Sequence, residues 1–190
     1  MGELDQLATI ISLSMGVAWA SGINLYAALL TLGVLANTGN IVLPEQLEIV
    51  ANPLVMTTAG VMYVVEFFAD KIPGVDTVWD ALQSFVRIPG GAILAAAAIG
   101  DVTPAAQMSA AILGGGLTAA THATKAGSRV MINTSPEPVS NWGASLGEDV
   151  VVVGGVWEAL NHPYIFLGLL LLFIGLMAWL LPKLWRGVSM

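Results

Sequence analysis

The 190-residue chain has no cysteine, which excludes disulfides, thiol catalysis and cysteine-based zinc centres at once. Its two histidines, His122 and His162, are too far apart in sequence to suggest a metal motif. Positive charge is scarce, with six Lys and Arg against 13 Asp and Glu and a formal net charge of −7. A chain without a basic face cannot neutralise phosphates, so nucleic acid is excluded as a partner. No glycine-rich phosphate loop is present either: "LGGGL" at 113–117 lacks the Lys-Ser/Thr of a P-loop, and no cofactor is expected. The opening "MGELDQ" lacks a basic n-region, so the first apolar stretch is expected to stay as a membrane segment. Hydrocarbon is abundant. Hydrophobic residues make up 56% of the chain, charged residues only 10%, and mean hydropathy is +0.81. That balance belongs to a single helical domain in a lipid bilayer, spanning 1–190.

Three apolar helices are punctuated alike, beginning at Asn52-Pro53, Thr103-Pro104 and His162-Pro163. A polar cap before proline starts a helix well, because the amide that proline lacks would be unsatisfied there anyway. Lys71, Lys125 and Lys183 follow 18, 21 and 20 residues after those prolines. At 1.5 Å per residue these are runs of roughly 27–32 Å, about one hydrocarbon thickness. Residues 7–36 supply the first span and 163–182 the last.

All six basic residues lie at or after the ends of the proline-started helices, and the opposite loops, 38–52, 101–103 and 161–162, hold none. The positive-inside rule then predicts six crossings with both termini cytoplasmic. Two return segments are awkward. In "ALQSFVRIPGGAILAAAAIGD" (81–101) the apolar part beyond Pro89, Gly90 and Gly91 reaches only about 16 Å as a helix. "EDVVVVGGVWEAL" (148–160) is interrupted in the same way at Gly154 and Gly155. Residues 53–101 and 104–160 therefore read as two copies of one unit, each with a broken or re-entrant return helix. Matching breaks point to a transport site, while a simple kink or tilted short helix is the plainer alternative. The fold expected is an all-α polytopic membrane protein of about six segments, two of them broken.

"EFFADKIPGVDTVWDALQSFVRIPGGAILA" (66–95), "HATKAGSRVMINTSPEPVSN" (122–141) and "GINLYAALLTLGVLA" (22–36) resemble the bacterial membrane proteins grouped as domain of unknown function 4126. The resemblance covers most of the chain. It implies a multi-pass protein of the bacterial inner membrane and carries no activity across.

The ionisable residues fall on faces. Tyr63, Glu66 and Asp70 share one face of the second span, and Thr118, His122, Lys125 and Arg129 one face of the fourth. Facing each other, they would form either a static charge seam or a working site, since ionisable groups in a span are functional candidates. Asp76 and Asp80 form an i, i+4 pair with Arg87 nearby, although Asp76 also suits a helix cap. Glu66, Asp70, Asp76 and Asp80 together are candidates for a divalent-ion site. Asn133, Glu137 and Asn141 gather around two prolines as a turn or a re-entrant polar loop, and Glu148 and Asp149 fit the first turn of the helix that follows. Gly114, Gly115 and Gly116 read as a helix-packing surface.

These residues favour a small transporter or channel for an ion or small polar solute, assembled as a homo-oligomer. A membrane enzyme acting on a lipid or isoprenoid phosphate, with Arg87, Lys125 or Arg129 holding phosphate, is the second reading. A structural or regulatory subunit of a larger complex is the third.

Overall fold

Proline punctuation becomes helix starts. The Leu54 amide donates to Asn52 Oδ1 at 2.9 Å, and the Ala106 amide to Thr103 Oγ1 at 3.3 Å, each satisfying one orphan donor of a first turn. The computed structural model describes residues 2–72, 74–132 and 138–188. They form α1 (Glu3–Asn37), α2 (Pro53–Ala69), α3 (Val75–Ala98), α4 (Pro104–Ile132), α5 (Pro138–Asn161) and α6 (Pro163–Val188). A short 3-10 helix, Glu45–Ala51, precedes α2, and no strand occurs among the described residues. Gly74 and Gly100 turn the chain before α3 and α4 with φ of 86° and 75°, a region that favours glycine.

By length and composition α1 and α3 can each cross a membrane, and the 3-10 helix with α2, bent by 59°, makes a third candidate span. The surface agrees with a bilayer. Val61, Phe68, Phe85, Ile93, Ile112 and Leu171 are all exposed, while charged side chains such as Glu66, Arg87 and Arg129 are completely buried. An apolar exterior around an ionised interior suits hydrocarbon, not water.

α1 is the axis of the bundle. Its small residues let neighbours approach, and its hydroxyls bond them: Ser12 donates to the Ala159 carbonyl and Ser14 to the Ala95 carbonyl, both at 2.8 Å. It is not one rod. Asn24 is extended (φ −151°, ψ 99°) and separates an arm over 3–23 from an arm over 25–37. The Asn24 side chain caps the second arm by accepting the Ala27 amide at 3.0 Å.

The two arms run in opposite directions. The first starts beside α6, where Tyr164 donates to Asp5 Oδ1 at 2.8 Å, and by Gly22 it has reached Thr118, Thr121 and His122 far along α4. The second begins with Leu25 against Gly90 and ends with Asn37 donating to the Ala51 carbonyl at 2.9 Å. Pro44, ahead of the 3-10 helix, packs beside Gly100 at the α3–α4 turn. Both ends of α1 therefore lie at the end of the bundle that holds the α3–α4 and α5–α6 turns.

Three expectations are corrected by this geometry. Residues 7–36 are two arms broken at Asn24, not one continuous helix. The extra reversal at Asn24 changes the parity of the fold, so the start of α1 and the end of α6 occupy opposite ends. α6 runs away from Asp5 to reach Thr124, whose hydroxyl lies 3.3 Å from Met177 Sδ. Finally, α3 is continuous through Pro89, Gly90 and Gly91, and α5 through Gly154 and Gly155. Most of these glycines mark close approach. A Cβ on Gly91 would collide with Thr118, one on Gly155 with the Trp19 ring, and one on Gly90 would come within 3.0 Å of Leu25. Gly154 faces open space.

Candidate functional site

Helical spacing collects the site. On α3, Asp76, Asp80, Gln83, Arg87, Gly91, Leu94 and Ala98 are all buried, a stripe at intervals of three and four residues that turns one face to the bundle. Its polar end lies in one cluster with Glu66 of α2 and Asp70 at the α2 C-cap, His122, Lys125 and Arg129 of α4, and Glu148 of α5. Because α5 begins at Pro138, Glu148 and Asp149 sit mid-helix and not in a first turn.

Three cations organise the cluster. Arg87 donates from Nη2 to Glu66 Oε1 at 2.6 Å and from Nη1 to Asp80 Oδ1 at 3.2 Å. The same Nη1 lies 3.1 Å from His122 Nδ1, and a guanidinium only donates, so that nitrogen is the acceptor and the ring proton is on Nε2. Lys125 Nζ sits among four carboxylates: Asp70 at 3.0 Å, Glu148 at 3.4 Å, Glu66 at 3.5 Å and Asp80 at 3.6 Å. Arg129 grips Glu148 with Nε at 3.2 Å and Nη2 at 2.8 Å, and the same Nη2 reaches Asp70 at 3.3 Å. Its Nη1 donates to the carbonyls of Asp70 and Asn141. The expected meeting of the α2 and α4 stripes is present through Lys125 and Arg129, with Arg87 between Glu66 and His122.

Exposure is nearly nil. The side chains of these ion pairs are at most 4% exposed, except for Glu148 at 17%. Among the described residues, the four carboxylates and three cations of these ion pairs leave one formal negative charge when His122 is neutral. Glu66 Oε2, Asp70 Oδ1 and Asp80 Oδ2 are buried and, among the described residues, have no hydrogen-bond partner. An ionised carboxylate only accepts, so each of these oxygens can take a proton or face a cation.

Beside the cluster, Asp149 accepts from the Tyr63 hydroxyl at 2.7 Å and from Asn24 Nδ2 at 3.2 Å, tying the α1 break to α2 and α5. Lys71 lies over the rings of Phe67 and Trp142 and donates to the Phe67 carbonyl at 2.9 Å. Asp76 plays a local part: its Oδ1 accepts the Gly74 and Thr77 amides at 2.8 and 2.6 Å at the start of α3. The four acids Glu66, Asp70, Asp76 and Asp80 do not converge as a metal site, and no group of three or more potential ligands is so arranged among the described residues. Glu66, Asp70 and Asp80 each give one oxygen to Arg or Lys, and Asp76 gives one to the amides at the start of α3. Asn133 and Glu137 lie outside the described residues.

The sequence pattern did not single out Asn24, nor the pair Tyr26 and Gln83, whose hydroxyl and amide oxygen lie 3.1 Å apart. Gln83 is readable from the i, i+3, i+7 spacing of Asp80, Gln83 and Arg87. Asn24, after Ser21 and Gly22 in an otherwise apolar run, carries the usual signal of a helix cap.

The sequence profile of the family described as Domain of unknown function (DUF4126) matches residues 11–183. No curated protein and no solved structure matches the chain.

Proposed function

The chain belongs to the family described as Domain of unknown function (DUF4126), and we propose that it is a small membrane carrier whose buried ion network takes up a proton or monovalent cation. One observation carries this reading: four carboxylates face three cations out of water, with an unpartnered oxygen on each of Glu66, Asp70 and Asp80. Burying an unbalanced charge costs several kcal/mol, so the site favours one further positive charge. Ionisable groups at membrane depth mark ion pathways, and the α1 break, joined to the network's flank through Asp149, is the kind of discontinuity that transport sites use.

In this proposal α2 to α6 cross the bilayer five times and α1 is a re-entrant hairpin. The pairs α2–α3 and α4–α5 correspond to the units 53–101 and 104–160. The positive-inside rule assigns the α2–α3 and α4–α5 turns to the cytoplasm and both ends of α1 to the other face. Five crossings in 190 residues leave little room for an enclosed path, which favours a homo-oligomer. Single cysteines at Leu4 and Gly39 should then be labelled from outside and one at Gly187 only from inside; labelling of Leu4 from the cytoplasm excludes the hairpin.

The functional test is flux. Proteoliposomes with an internal pH indicator should acidify or alkalinise in response to an imposed potassium diffusion potential, or carry sodium or potassium under a gradient. Glu66→Gln should lower that flux by about tenfold or more while the protein stays folded, since it removes the surplus charge. Wild-type vesicles that behave like protein-free ones for protons, sodium and potassium alike exclude the carrier.

A further inference from the structure

The ion network borders a cleft. The cleft, of about 450 Å³, is lined by residues of α1, α4, α5 and α6, with Lys125 and Glu148 among them. Trp19, Ile23, Val151 and Phe173 supply apolar and aromatic walls. That volume is in the range of sites for drug-sized molecules. Glu148, which lines it, is also the network acid with appreciable exposure.

The polar lining is one-sided. Thr121, Thr124 and Ser128 border the cleft, and each hydroxyl donates to a carbonyl of its own helix: Leu117 at 2.9 Å, Ala120 at 2.8 Å and Lys125 at 2.7 Å. With their protons committed, these hydroxyls present lone pairs. Lys125 offers no free positive charge, because four carboxylates surround its ammonium. The lining thus accepts hydrogen bonds and carries the network's surplus negative charge, and its neutral side-chain donor is the Trp19 indole N–H. An indole and a phenyl face add affinity for a cation.

We infer that this cleft binds a lipophilic monovalent cation, an organic ammonium or phosphonium that reaches Glu148 from the bilayer side. The inference rests on the carrier reading and names a substrate class for the same network. The bound cation supplies the positive charge that the four acids and three bases lack. Its hydrocarbon substituents lie against Trp19 and Phe173.

The test uses tetraphenylphosphonium and tetraphenylborate, probes of like size and opposite charge, by equilibrium dialysis against the purified full chain in neutral detergent with protein-free micelles as blank. The cation should bind at least about tenfold more tightly than the anion. Gly147 lines the cleft and a Cβ there meets open space, so Gly147→Phe should fill it and weaken cation binding by about tenfold or more. In parallel, a photoreactive phosphonium on the wild-type protein should label the segments holding Glu148 and Phe173, a readout that does not depend on the variant folding. Equal binding of the two probes, an unchanged affinity in folded Gly147→Phe, or labelling elsewhere overturns the inference. Proton or metal-cation flux without phosphonium binding overturns the cleft and leaves the carrier standing, whereas binding without any flux supports the cleft and removes the carrier.

Discussion

Along their shared length α3 and α4 are joined by two opposite chemistries. In one half, Gly91 fits under Thr118 and Gly114 against Ala95, contacts so close that an added Cβ at either glycine would overlap its neighbour. In the other half, Arg87, Lys125 and Arg129 interleave with Glu66, Asp70, Asp80 and Glu148. In hydrocarbon the hydrophobic effect does not press helices together, so they associate through close backbone approach or through polar pairing. The close-packed half joins small, uncharged residues. The charged half is unbalanced by one charge and holds unpartnered oxygens. The first half therefore acts as scaffold and the second as the working end.

Substitutions can break that contrast, and the largest effect is expected at Arg87. Arg87→Met turns one surplus negative charge into two and strands Glu66 and Asp80, which should cost about 3–5 kcal/mol in a reversible detergent-denaturant titration. Glu66→Gln removes the surplus and should cost far less. Equal losses in the two variants would mean that the network is not negatively unbalanced.

The scaffold half should respond to bulk instead of charge. Gly114→Val drives side-chain atoms into Ala95 and should destabilise by about 1–3 kcal/mol in the same titration, at every pH. A Gly114→Val protein as stable as wild type would show that the close contact is not needed.

A smaller effect is expected at the boundary between the halves. The Thr118 hydroxyl is 2.7 Å from the Ala18 carbonyl and 2.8 Å from that of Gly114. Thr118→Val keeps the shape and removes the donor, for a loss of about 0.6 kcal/mol, the average for such bonds between membrane helices. A loss of several kcal/mol would place Thr118 with the network and not with the scaffold.

The smallest effect has the opposite sign. Gly116 lies two residues from Gly114 but faces open space, so Gly116→Ala should stabilise by about 0.4–1 kcal/mol through the unfolded chain. Destabilisation there would reveal a partner against that face.

How much of this was legible follows from what each signal depends on. Helix starts at Pro53, Pro104 and Pro163 were readable because proline and its cap act within four residues. The facing of Glu66 and Asp70 with Lys125 and Arg129 was foreshadowed by spacing, since the helical period sets which residues share a face. The role of Pro89, Gly90 and Gly91 was not. Local sequence gives glycine one meaning, a weak point in a helix, while the neighbours Thr118 and Leu25 give it another, room for contact.

The amino-acid sequence by itself determined an all-helical chain with an apolar exterior, few basic residues at one end of its helices, and ionisable stripes at helical spacing. Those properties follow from composition and short-range periodicity. Only the tertiary structure decided that α1 folds back at Asn24, that Arg87 stands between Glu66 and His122, and that the acids pair with bases instead of gathering around a metal. Each of these depends on which segments distant in sequence lie side by side, and packing between helices selects that arrangement where the local pattern leaves several open.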